Sequence, residues 1–185
     1  MKCDSDYPKN GANSWRAAND QVFIDAAKKI NSERRLKPAD PKYIDPEFIK
    51  GWAMVESGSG KDKSAFLRDP LQVNKPGDWN TDKLRLLNLR KGQPMTPELS
   101  AQAALKWLEY KGSRRNAVTL RPTWLGWEHA LEQYNGRNAV GNDGVPLKVW
   151  YKHQVMKLYN NSKNQGEDAL ACVVNARIFP WSTRR

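Results

Sequence analysis

Apolar residues recur at helical spacing along most of the chain, each stretch framed by residues that start or stop helices. Trp15, Ala18, Val22, Ala26 and Ile30 follow a period near 3.6 behind Asn13 or Ser14, either of which can cap a helix running to about residue 30. Asp45 as cap, Pro46 at the first helical position and Gly58 past the end frame a second helix over 46–57. Thr96-Pro97-Glu98 repeats that opening, and Gly112 closes a third helix carrying Leu99, Ala103, Leu105, Trp107 and Leu108. A fourth spans about 123–133 and ends at Gly136. A fifth runs from Pro146 to about residue 160 with Leu147, Trp150, Val155, Leu158 and Tyr159 as its apolar members. Between 58 and 80 the period changes: Ala65-Phe66-Leu67 and Leu71-Gln72-Val73 stand between turn residues, which predicts a small irregular or β-hairpin lobe. Loops are expected at 93–97 and 141–144, and the segment 167–178 reads equally as helix or strand. The expectation is a mainly α, α+β fold in which a helical bundle surrounds a cleft. No repeat or low-complexity tract divides the chain, so residues 1–185 are read as one domain.

Composition adds a core and a charge. Hydrophobic residues make up 39% of the 185, with eight Trp and six Tyr, enough for one domain with a real interior. Lys and Arg outnumber acidic residues 31 to 20, for a net charge of +11, so the surface should attract polyanions. The positive residues are scattered and form no block of the kind that marks a nucleic-acid arm, which argues against nucleic acid as the partner. Only Cys3, Cys172, His129 and His153 offer soft ligands, without a CxxC pair, so neither a metal nor another cofactor is expected and the histidines read as structural. A disulfide between Cys3 and Cys172 would tie the ends of the chain together, and two separate thiols are the equal alternative. No apolar run is long enough to span a membrane, and the residues around Met1–Pro8 lack the apolar core of a secretory signal.

The second helix carries the sharpest chemical signal. A step of 100° per residue puts Glu56 within about 60° of Ile49, Trp52 and Ala53, on the apolar stripe. Taking a carboxylate out of water disfavours its ionised form, which is what a general acid working near neutral pH requires. A Glu at a helix end that simply reaches solvent is the plain alternative.

Downstream of Glu56-Ser57-Gly58 come Asp69-Pro70-Leu71-Gln72-Val73-Asn74 and then Tyr134-Asn135-Gly136. In this order the chain resembles the soluble lytic transglycosylases and goose-type lysozymes over about residues 46–159. That family ends a helix on a catalytic Glu-Ser, follows with a Gly-Leu-Met-Gln-like strand segment, and later places a Tyr-Asn pair at a helix end. The resemblance implies Glu56 as catalytic acid and Ser57 as a residue orienting substrate or acid. It implies Gln72 as a cleft-lining strand residue, and Tyr134 with Asn135 as the pair whose tyrosine can hydrogen-bond the acid. The chain departs from the pattern where Asp69-Pro70-Leu71-Gln72 replaces Gly-Leu-Met-Gln. Asp69 is thereby the best second carboxylate, with Asp62 behind it; a turn-forming role before Pro70 is the alternative. Trp79, in a loop after Pro76-Gly77-Asp78, is a candidate sugar-stacking ring or a core plug, and Trp181 a weaker one.

The function implied is a peptidoglycan-degrading muramidase cutting the β-1,4 bond between N-acetylmuramic acid and N-acetylglucosamine, as a lysozyme or as a lytic transglycosylase. Its partner would be the glycan strands of the wall. Its place of action would be the cell wall or periplasm, in the manner of an endolysin or a delivered toxin, and a toxin would bring an immunity protein that plugs the cleft. A monomer is expected. The rival reading is a non-catalytic basic module that holds peptidoglycan or nucleic acid by charge and stacking.

Overall fold

Helix starts fall where the sequence sets prolines behind polar caps. Pro46 opens α2 (Pro46–Ala53) behind an extended Asp45, whose side chain makes no capping bond and accepts the Tyr159 hydroxyl instead, and Pro97 opens α5 (Pro97–Gly112) behind Thr96, whose hydroxyl accepts the Leu99 N–H at 3.3 Å. The computed structural model describes residues 14–58, 63–115 and 121–163, and these are mainly helical. The remaining elements are α1 (Asp20–Glu33), α3 (Lys63–Arg68), α4 (Thr81–Leu87), the antiparallel strands β1 (Ser113–Arg115) and β2 (Pro122–Trp124), α6 (Trp127–Asn135) and α7 (Leu147–Ser162). Cys3, Cys172, Asp62, Trp181 and the segment 167–178 lie outside the described residues. Among the described residues no helix is long and apolar enough to cross a membrane.

Three sequence expectations are corrected. The first helical segment is divided into a 3-10 turn, Ser14–Ala17, and α1. Buried Asn19 sits at the break, donating through Nδ2 to the Phe66 carbonyl at 2.6 Å, a side-chain bond that competes with helix continuation. The fourth helix starts at Trp127 rather than near 123, because Pro122–Trp124 pairs with Ser113–Arg115. Of the irregular or β-hairpin lobe expected within 58–80, no strand pair forms among the described residues. Ala65-Phe66-Leu67 belongs to α3, and residues 69–75 are turns leading to a 3-10 turn, Pro76–Asp78, and to α4, whose cap Asn80 accepts the Lys83 N–H at 3.2 Å. Apolar runs of three residues carry no usable period, and what decides this one is Phe66, fully buried edge-on to Trp15 and Phe23 at centroid distances of 5.3 and 6.3 Å. The two-stranded sheet instead follows α5.

At the centre, α2 is buried all round from Phe48 to Ala53. Even Lys50 is enclosed, its ammonium paired with Asp20 of α1 at 2.6 Å. Gly51 lets α7 come close, since a Cβ there would meet the Leu158 Cβ at 3.3 Å and the Val155 carbonyl at 3.4 Å. This crossing carries the first turns of α7 towards the end of α2, where Glu56 lies.

Gly112 has a tighter role. A Cβ would fall 2.3 Å and 2.7 Å from ring carbons of Trp124 and 2.9 Å from the Ala130 Cβ, so the absence of a side chain lets β2 and α6 pack on the end of α5. Gly112→Ala should therefore lose about 1–3 kcal/mol through overpacking. Calorimetry would read this as a midpoint several degrees lower. An unchanged midpoint would mean that the indole slips aside without cost.

A candidate active site at the end of the central helix

The helix that begins at Pro46 does not end as an α-helix: Met54–Gly58 are π-helical, a widening found mostly as single turns and often at functional sites. Glu56 lies in this turn and opens onto a cleft of about 720 Å³. The other walls are Gln72, the loop from Lys75 to Asp78, Lys111 of α5, and the end of α6 with its exit, from Gln133 to Arg137.

Glu56 is packed among neighbours yet faces that opening, and burial is the main reason its carboxyl is pushed up from an ordinary value of 4.5 to about 7. Asp69 adds to the rise, whereas the Tyr151 hydrogen bond, Lys75 and Arg137 oppose it. The Tyr151 hydroxyl donates to Glu56 Oε1 and accepts the Trp52 Nε1–H at 2.6 Å. Trp52 is fully buried, so a rigid indole orients the phenol and the phenol orients the acid. Burial and the Glu56 charge hold both Tyr134 and Tyr151 well above the ordinary tyrosine value, so both stay neutral.

Gln72 and Ser57 act on the backbone around the acid. Gln72 Nε2 donates to the Glu56 carbonyl, which fixes the orientation of the amide and leaves Oε1 buried without a partner. Gln72 stands in a turn at φ 51°, not on the strand that the resemblance implied, and this left-handed backbone is uncommon outside glycine. Ser57 is 6% exposed, its Oγ donating to the Pro70 carbonyl at 2.7 Å with the Ala53 carbonyl at 3.2 Å. It therefore ties the π turn to the 69–74 loop and does not line the cleft.

Asp69 is absorbed by that loop. One oxygen accepts the Ser100 hydroxyl at 2.5 Å and the Val73 N–H at 3.3 Å; the other accepts the Asn74 N–H at 3.4 Å. The turn-forming alternative describes these contacts, and Asp69 is not among the residues lining the cleft that Glu56 faces. Asn74, in the same loop, is buried and donates through Nδ2 to the Arg90 and Gln93 carbonyls.

Tyr134 lines the cleft but does not bind the acid. Its hydroxyl donates to the Leu71 carbonyl at 2.8 Å and its ring stands edge-on to Trp52 at 4.7 Å. Asn135 also lines the cleft, its Oδ1 accepting the Arg137 N–H at 3.3 Å. Trp79 is turned away, half-buried with Nε1 donating to the Leu89 carbonyl at 3.1 Å, which is a packing role. Among the described residues no group of three or more His, Cys, Asp or Glu side chains is placed to hold a metal ion.

Sequence reading missed Tyr151, Lys75, Lys111, Arg137 and Asp78. Tyr151 had a signal: Leu147, Tyr151, Val155 and Leu158 form a stripe of steps 4, 4 and 3, a better face than the one containing Trp150. Asp78 lines the cleft, but its carboxylate is tied to Lys83 at 2.8 Å. Lys83 itself is 1% exposed and also donates to the Val73 carbonyl at 2.9 Å, so one buried ammonium pins both ends of the loop bearing Lys75.

Tyr151→Phe tests the relay. Removing the phenol deletes the bond that favours ionised Glu56 and orphans the buried Trp52 N–H, so the acid should titrate above about 7 and stability should fall by about 1–3 kcal/mol. A carboxyl-carbon NMR titration reads the first effect, and an unshifted midpoint would rule out Tyr151 as its partner. No protein-family model, curated protein or solved structure matches the chain.

Proposed function

We propose that the protein is a muramidase of lysozyme-like architecture, cutting the β-1,4 bond between N-acetylmuramic acid and N-acetylglucosamine with Glu56 as proton donor. The observation that carries this reading is a carboxyl on the wall of an open cleft, held protonated up to about pH 7 by burial and oriented by the Trp52–Tyr151 pair. Such a group can protonate the bridging oxygen as the glycosidic bond breaks. A non-catalytic binding module gives no reason for a proton-holding acid in its groove.

The single-acid route is favoured over two-carboxylate hydrolysis, because the Asp69 oxygens are occupied by Ser100 and the loop N–H groups and Asp78 is paired with Lys83. In that route the substrate's own acetamido oxygen closes on the anomeric carbon as the leaving oxygen takes the Glu56 proton. Glu56, now a carboxylate, then removes the proton of the 6-hydroxyl as that oxygen attacks the same carbon and the acetamido oxygen leaves it, giving a 1,6-anhydro end, a restored acetamide and a reprotonated acid. Purified peptidoglycan digested with the full chain should release 1,6-anhydro-muramyl fragments by mass spectrometry. Exclusively reducing ends would replace transglycosylation by hydrolysis, and intact wall would remove the lytic reading.

A further inference from the structure

An acid that must keep its proton stands among cations that favour losing it. Lys75 and Arg137 both line the Glu56 cleft and both act on its charge, and Lys111 lines the same cleft over the Trp107 ring at 5.1 Å. None of the three takes part in an ion pair among the described residues. Two of them are carried on braced backbone. The Lys75 carbonyl accepts the Asp78 N–H at 3.0 Å within the loop that Lys83 pins. Arg137 follows Gly136, which turns the chain at φ 63°, and the Arg137 carbonyl accepts the Lys148 N–H at 3.1 Å. Cations without ion-pair partners, gathered on the walls of one open cleft, attract an anion to it.

We propose that Lys75 and Arg137, with Lys111, form a carboxylate-binding site in the cleft, and that an acidic saccharide bound there frees Glu56 from their field so that the acid is protonated when substrate is in place. This rests on the lytic reading and adds to it a binding role for the three cations and a substrate-triggered acid. The groups that face Glu56 or act on its charge are Tyr151 of α7, Tyr134 of α6, Asp69 of the loop after α3, Lys75 and Asp78 of the cleft loop, Lys111 of α5 and Arg137. Of those that act on the acid, Lys75 and Arg137 are the cations that favour its anion, and a bound carboxylate both cancels their charge and adds a like one.

The test is an NMR titration of the Glu56 carboxyl carbon in the full chain, free and with saturating N-acetylglucosaminyl-N-acetylmuramic acid or neutral N,N′-diacetylchitobiose. Both sugars exclude water, but only the first carries a carboxylate. The acidic disaccharide should raise the midpoint by at least about half a pH unit more than chitobiose does. Lys75→Gln and Arg137→Gln should each raise the midpoint of the free chain. They should also weaken the acidic disaccharide by about tenfold, the usual worth of one charged contact, and leave chitobiose unchanged. Thermal midpoints near that of the unaltered chain confirm that the variants are folded. Equal shifts with the two sugars, no shift with the acidic one, or variants that leave the free midpoint in place would each overturn the proposal. Wall clearing separates the two ideas. A chain that lyses wall yet shifts equally with both sugars keeps its activity and loses this site, whereas one that selects the acidic sugar but lyses nothing keeps the site and loses the activity.

Discussion

Glu56→Gln is expected to lower the rate of wall clearing by about 10²–10⁴-fold, the usual contribution of a positioned general acid. The substitution keeps the shape and the packing around the site. Its amide oxygen can still accept the Tyr151 hydroxyl, and the backbone carbonyl at residue 56 still accepts from Gln72, so the π turn and the 69–74 loop should persist. What disappears is the transferable proton. Clearing of purified wall, followed by turbidity beside a circular dichroism spectrum of each protein, separates lost chemistry from lost fold. A folded variant that retains a tenth or more of the parent rate would show that another group donates the proton.

The same substitution should reverse part of the protein's pH sensitivity. Folded Glu56 holds its proton up to about pH 7, against an ordinary value of 4.5, so the folded chain binds that proton more tightly than the unfolded chain. Its contribution is fully present below about 4.5 and is lost as pH rises through about 7. The step between those values is worth at most about 3 kcal/mol, less whatever solvent in the open cleft screens. Glutamine does not titrate, and Glu47, also raised by burial, is common to both proteins and cancels. Denaturant unfolding at pH 4 and at pH 9 should therefore show the parent losing up to about 3 kcal/mol relative to Glu56→Gln on going from acid to base. A gap that does not change with pH would mean that the carboxyl ionises as it would in water. Under the lytic reading, the same titration should make the clearing rate fall as pH rises above about 7.

The site was legible as far as it depended on neighbours in the chain. Glu56 among Ile49, Trp52 and Ala53 could be seen to face inward because four residues make about one turn, and the structure places it on the wall of a cleft. Its hydrogen-bond donor could not be seen. Tyr151 is 95 residues away, and it meets the acid because Gly51 lets α7 cross close to α2. Tyr134, promoted by a motif, turned out to hold the Leu71 carbonyl instead. Asp69 shows the reverse case: its part in a turn before Pro70 was an open alternative in the sequence, and Ser100, on α5, completes the set of contacts that occupies its oxygens.

By itself the sequence determined the helix starts at Pro46 and Pro97, the inward face of the second helix with Glu56 on it, and the excess of positive charge, because prolines and periodicity act over a few residues. Only the tertiary structure decided that 63–68 is helical, that the acid sits in a π turn, that Tyr151 orients it and that Lys75, Lys111 and Arg137 share its cleft. Those outcomes depend on contacts between segments tens of residues apart, where burial and packing outweigh local preference.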